Sequence, residues 1–179
     1  MAYINATSTG NFAKFLIRVN DGTDPVLDDF LSTGTGTPVL HTVDANVLDI
    51  PAMQDITITN NPNTARWKQL DLASERVKTT VSTNSVAGNL VIDPDTYFGV
   101  DDAGSEADDK GLFKLSNEKT QVDFLIAYAG INEGDYVVYG KGYFTNLSPT
   151  LSAEDGVWKS PFTLEVDGDY TQETLGATI

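Results

Sequence analysis

The sequence predicts a mainly β protein: a β-sandwich or partly closed barrel of two antiparallel sheets, with one short helix, a long early loop and flexible termini. Three runs carry this expectation. From Trp158 to Val166, the apolar Trp158, Phe162, Leu164 and Val166 alternate with Lys159, Thr163 and Glu165. That is the period of a strand with one buried and one wetted face. Just upstream, Tyr136, Val137, Val138, Tyr139, Tyr143 and Phe144 supply the aromatic and β-branched residues that suit a pleated surface. Gln121 to Ala129 sets Val122, Phe124, Ile126 and Tyr128 on one face against Asp123, Leu125 and Ala127, so both faces are expected to be partly buried. At 179 residues and 40% hydrophobic content, the chain suffices for a single domain, 1–179, with a real core.

Taken in order, residues 1–10 are small and polar and read as an N-terminal arm that orders on contact with something else. Phe12 to Val19 is a first strand. Residues 20–55 form a long loop rich in turn formers, with room for one helical turn at Val26 to Leu31 and a short strand at Val39 to Val43. Ile56 to Asn60 is a short strand, and Asn60 to Asn63, with Pro62, a turn. Glu75 to Thr83 is an amphipathic strand: Val77, Thr79 and Val81 share one face, and Arg76 and Lys78 stand on the polar one. Gly88 to Ile92 is a further strand, stopped at Asp93-Pro94. Ser105 caps a helix through Leu112, Phe113 and Leu115, with Glu106, Asp108 and Asp109 near its positive end and Gly111 as a weak point. Gly140 and Gly142 mark a bulge or close backbone approach in the aromatic strand. Residues 171–179 are a small, polar C-terminal tail.

Charge is the strongest compositional fact. Eleven Lys and Arg stand against 26 Asp and Glu, a formal net charge of -15. This opposes ordinary nucleic-acid binding, which uses cations to displace phosphate counterions, and suits a surface kept apart by self-repulsion. With no cysteine there is no disulfide, thiol nucleophile or thiolate-bound metal. The start lacks a basic region followed by an apolar run, and no apolar stretch has membrane-spanning length, so folding in the cytoplasm without a membrane is expected. Catalytic constellations are missing. His41 is the sole histidine, no G-x-S-x-G elbow occurs, and GTGTP lacks the Lys-Ser/Thr of a phosphate loop. The oxygen-rich turns at Asp21 to Asp24, Asp93 to Asp95 and Asp167 to Asp169 do not match a spaced calcium loop and read as ordinary turns. No enzyme activity, cofactor or metal is therefore expected.

The stretch Asp135 to Tyr170, DYVVYGKGYFTNLSPTLSAEDGVWKSPFTLEVDGDY, adds a resemblance. A Gly-rich aromatic strand ending near Ser-Pro, a short acidic loop and a final alternating strand closing on Val-Asp-Gly-Asp resemble the end of bacteriophage major tail tube proteins, of the tail-tube and type VI secretion tube superfamily. The preceding order of alternating strand, acidic helix and strand extends the resemblance over about two thirds of the chain in layout.

The resemblance implies a structural virion protein whose subunits form hexameric rings, pair edge to edge and stack into a hollow conduit for DNA ejection. It implies tape-measure and tail-tip or terminator proteins as partners, DNA that passes without specific binding, and a virion made in the host bacterial cytoplasm. Asp55, Asp123, Glu165 and Asp167 are then candidates for an acidic lumen lining, against which Arg76 and Lys78 stand as an exception. The early loop, with Asp21, Gly22, Thr23, Asp24, Gly34, Gly36 and His41, is the candidate ring-stacking element. The alternative is a non-catalytic β-sandwich binding module that attaches to a capsid, fibre or carbohydrate, its Tyr136 to Phe144 aromatics stacking on sugar rings.

Overall fold

The computed structural model describes residues 13–50, 53–68, 75–100, 105–151, 157–177 and 179. The expected N-terminal arm lies outside these residues, as do Asp101 and Asp102 of the acidic run. The strands are β1 (Lys14–Val19), β2 (Leu31–Gly36), β3 (Val39–Val43), β4 (Leu48–Asp49), β5 (Met53–Lys68), β6 (Glu75–Val91), β7 (Val122–Ala127), β8 (Tyr136–Leu147), β9 (Thr150–Leu151), β10 (Trp158–Val166) and β11 (Thr171–Thr174). Two helices, α1 (Pro94–Phe98) and α2 (Glu106–Asn117), sit between β6 and β7.

The main sheet has nine strands in the order β4-β1-β7-β8-β10-β6-β5, with β9 on β10 and β11 on β8, and every pairing is antiparallel. This sheet folds over itself, and β2 and β3 form a second, two-stranded antiparallel sheet. Phe15 of β1 stacks on Phe162 of β10, ring centroids 5.4 Å apart, although β7 and β8 lie between their strands. In a flat sheet three strand spacings would hold them about 14 Å apart, so the contact requires the sheet to coil. The far end follows: Met53, Ile56 and Ile58 of β5 line one cavity with Ala13, Ile126 and Tyr128. The result is sandwich-like and not a closed barrel, as expected of the class.

Between the two halves lies the larger core, with Phe15, Ile17, Val122, Phe124 and Ile126 facing Val86, Leu90, Phe144, Phe162 and Leu164. Tyr97, Ala107, Leu112 and Leu115 of the helices also join it. On the opposite face of β1, β7 and β8, a second core gathers Leu16, Leu125, Ala127, Val137 and Tyr139 under Leu27, Phe30, Leu31 and Leu175. Covered on both sides, β7 is buried throughout. The close approach expected at Gly142 is present: a Cβ there would collide with the Glu165 carbonyl.

Several expectations are corrected. The supposed turn at Asn60 to Asn63 is continuous β5, because Pro62 stands where the register with β6 shifts, a place where a missing N–H costs little. The two strands read in Glu75 to Thr83 and Gly88 to Ile92 are one, β6. The early loop holds the expected helical turn, as a 3-10 turn at Leu27–Asp29, and the expected strand Val39–Val43, but also β2, which pairs with that strand, and β4. The C-terminal segment is held, not flexible: β11 pairs with β8 and Leu175 is buried. A second helix, α1, follows Asp93, whose side chain accepts from the Thr96 N–H with Pro94 in the first turn. Ser105 caps α2 as expected, and Gly111 breaks it with φ 62°.

Phe162 also meets Phe144 edge to face at 6.2 Å, so one side chain ties β1, β8 and β10 together. Phe162→Ala is expected to lower stability by about 3–5 kcal/mol, read from the urea midpoint, whereas Phe162→Leu, which keeps most of the volume, costs less than half of that.

Candidate assembly surface

Strand parity sets one side of the β8-β10-β6-β5 half toward the core and leaves the other open. Across that open face the register runs Tyr143, Glu165, Ser85, Thr59 in one row, and Thr163, Ala87, Thr57 in the next. A third row is Pro161, Asn89, Asp55. All of these residues are exposed or half-buried, and none is a large aliphatic. Asp55 accepts hydrogen bonds from the Asn89 backbone N–H at 2.7 Å and from its side-chain amide, which fixes the carboxylate on this face.

Asp55, Asp123 and Glu165 all project from the sheet face opposite the larger core, but only part of that face is open. Asp55, Glu165 and Asp167 are exposed, the last accepting from Gln121 Nε2 at 2.8 Å just beyond β10. Asp123 is fully buried, which corrects its candidacy for an exposed lining. On its half, the second core and the preceding turn cover the sheet. Arg18 Nε donates to Asp123 at 2.9 Å and the Asn20 side-chain amide donates to its other oxygen. The Arg18 guanidinium also pairs with Asp29 at 2.9 Å. Burial pushes the Asp123 carboxyl above the ordinary carboxylate range, while Asn20 and Arg18 pull the other way.

The early loop is spread over three sites. Asp21 to Asp24 is a tight turn over the Arg18–Asp123 pair, in which Thr23 Oγ1 donates to Asp21 at 2.6 Å and holds that carboxyl below its usual range. Lys141 Nζ reaches Asp24 at 2.7 Å, which raises the lysine pKa and ties the turn to β8. Gly34 and Gly36 lie in the β2–β3 hairpin, where Gly34 packs against the Leu40 backbone and only a residue without Cβ fits. His41 is buried, its Nε2 3.0 Å from the Gly176 carbonyl, so it offers nothing to a neighbour. Among the described residues, no group of three or more His, Asp or Glu is placed to hold a metal ion.

The protruding element lies elsewhere. Beyond the Thr59–Ser85 row, β5 and β6 continue as a paired ribbon to Lys68–Glu75, about 30 Å of strand by rise alone. Exposed throughout on β5, it carries Arg66, Trp67, Lys68, Arg76 and Lys78. Two short-range readings hid it from sequence inspection: Pro62 suggested a turn, and Glu75 to Thr83 looked like a separate strand. Among the described residues, nothing pairs with the outer side of β5 over its 16 residues.

Fold and surface together define a class, a coiled antiparallel sheet with backbone pairing capacity left open along one long edge. The same fold occurs in solved tail tubes. A chain from the tail of an empty gene transfer agent particle, computed with helical refinement and C6 symmetry, superposes with a TM-score of 0.53 at 12% identity, covering 84% of this chain and 99% of that one. A chain from the virion of a native gene transfer agent particle gives 0.53 at 13% identity with the same coverages. The tail tube of SPP1, from a hybrid solid-state NMR and cryo-EM structure, gives 0.56 at 11% identity over 94% of this chain and 80% of that one. No protein-family model matches the sequence, and no curated protein matches it. The chain has the tail tube protein fold.

Because the folded Asp123 pKa lies above the unfolded value of about 4, the folded chain binds more protons than the unfolded chain between the two values. Its stabilising contribution is complete below about pH 4 and is lost as pH rises through the folded pKa. Asp123→Asn removes that slope. Melting curves against pH are expected to show the parent losing ground relative to the variant as pH rises from about 4; parallel curves would contradict the assignment.

Proposed function

We propose that the protein is a structural, non-enzymatic tail tube subunit. In this reading, copies join edge to edge into hexameric rings, and the rings stack into the hollow conduit through which DNA leaves the virion. The observation that carries it is the β5 edge: 16 residues of strand with one side unpaired among the described residues, which would be an aggregation hazard in a monomer and is a joint in a ring. The fold shared with tail tubes supports it.

The open polar face of the β8-β10-β6-β5 half is the proposed lumen wall. It presents Glu165, Asp55 and Asp167 among threonines, serine and asparagine, a surface that repels phosphate and offers few apolar holds to a sliding duplex. The β5–β6 ribbon takes over the ring-bridging role expected of the early loop. Tape-measure and tail-tip or terminator proteins complete the assembly, whose place is the phage tail after synthesis in the bacterial cytoplasm.

Negative-stain electron microscopy across protein concentration and salt tests the reading, since screening relieves the repulsion of a -15 subunit. Hollow tubes or stacked rings are expected, with tail-tip proteins added as nucleators where the pure protein stays dispersed. Discrete small particles that persist with those nucleators present would overturn the assignment and favour a monomeric binding module.

A further inference from the structure

Two exposed patches of contrasting charge stand on the described surface. The first is the distal β5–β6 ribbon. Trp67 stands directly across from Arg76, and Ala65 from Lys78, so the indole and two cations share one face. Trp67 is 42% exposed, and Val77 and Val81 on the ribbon are 53% and 83% exposed. Four of the chain's 11 Lys and Arg lie between Arg66 and Lys78, in a protein whose net charge is -15.

The second patch is built where α1 meets α2. Gly99, φ 86°, and Gly111, φ 62°, bring the two backbones into direct contact; a Cβ on Gly111 would collide with the Gly99 backbone. The Val100 N–H donates to the Asp108 carbonyl at 3.0 Å and locks the approach. This places Phe98 and Phe113 side by side, centroids 6.1 Å apart, yet leaves them 56% and 46% exposed. Asp93, Asp95, Glu106 and Asp108 lie on the same two helical pieces. Tyr97 packs against both rings, at 5.0 and 6.0 Å between centroids, and among the described residues the rest of the pair's surface is exposed and apolar.

We propose that the ribbon of one copy docks on the helix patch of the next, with Trp67 against Phe98 and Phe113 and with Arg76 and Lys78 against Asp95 and Glu106. The occupant is a second copy of this chain because the ribbon supplies a flat aromatic for the rings and cations for a net-acidic patch, in which Glu106 already pairs with Lys110 at 3.1 Å. Since each copy carries one ribbon and one patch at different places, the contact is head-to-tail, and between rings displaced along the tube axis it cannot close into a ring. Repetition then yields an open stack and not a dimer. This inference rests on the tube reading and deepens it by naming the receptor for the protruding ribbon and so the polarity of stacking.

The test uses the full-length chain and charge exchange. Arg76→Glu with Lys78→Glu, and separately Asp95→Lys with Glu106→Lys, are each expected to raise the protein concentration needed for tubes by at least about tenfold. Combining all four substitutions is expected to restore assembly toward the parent level. Melting temperatures of the variants, substituted at surface-lying positions, report whether the fold is kept. Unchanged assembly in either double variant of parent-like melting temperature, or no recovery in the combined one, overturns the docking while leaving the tube reading intact. A parent chain that forms no tubes even with nucleators removes the tube reading itself. Mixing the parent with a labelled single-stranded DNA separates the remaining source of a basic, Trp-bearing ribbon. DNA bound by the parent and lost with Arg76→Glu and Lys78→Glu, with assembly unaffected, would assign the ribbon to nucleic acid instead.

Discussion

The coil of the main sheet is the constraint on which everything else depends, and it is pinned where Phe15 meets Phe162. Without that contact the halves β4-β1-β7 and β10-β6-β5 would have no common interior, and Val86, Leu90 and Leu164 would face water. Once the halves close, the remaining gap at one end is what α1 and α2 fill with Tyr97, Leu112 and Leu115. The coil stops short of a barrel, however. β5 and β7 share a cavity through Ile58 and Ile126 but no ladder, so among the described residues β5 keeps an unpaired side. A closed barrel would have abolished its edges; among the described residues this sheet retains a long one at β5.

A second consequence of the coil is that the face opposite the larger core is divided. Over β1, β7 and the start of β8 it is roofed by the 3-10 turn, the β2–β3 hairpin and the C-terminal segment, which bury Leu16, Leu125 and Tyr139. Over β10, β6 and β5 it is bare and polar. Asp123 lies under the roof and survives there because Arg18 and Asn20 both donate to it, which offsets much of the cost of desolvating a carboxylate. A carboxylate two strands away, that of the exposed Glu165, needs no such partner. Environment, and not sequence parity, separates a structural carboxylate from one available to a lumen.

This explains how much was legible in the sequence. Period-two alternation located β10 and set the faces of β7, aromatic and β-branched residues located β8, the Ser105 cap located α2, and the family resemblance nominated Asp55, Asp123 and Glu165 for a lumen lining. What parity lacks is any record of which stretches of a sheet face are roofed, since the roof comes from residues about 100 positions away along the chain. The ribbon was missed for a related reason. A proline and an extra residue in the opposite strand look locally like a turn and a strand end, whereas a long antiparallel ladder absorbs both as a register shift at Pro62 to Thr64. The helix patch was invisible because it depends on Gly99 and Gly111 touching. Neither glycine alone signals more than a helix end.

An open edge in a protein of net charge -15 raises the question of what prevents indiscriminate pairing. Edge strands in natural proteins are defended by charges, prolines and bulges. Here β5 carries Asp55, Pro62 and the register shift beside it, while long-range repulsion keeps copies apart until they meet in a suitable orientation. Backbone pairing is tolerant of register and would by itself permit many wrong joints. In the proposed docking, a local reversal of charge on the ribbon supplies the missing selectivity. Net repulsion penalises every encounter about equally, and only the orientation that brings cations to carboxylates escapes the penalty. In the docking proposed above, specific assembly follows from the contrast between a net-acidic body and a basic extension, without any single contact needing to be strong.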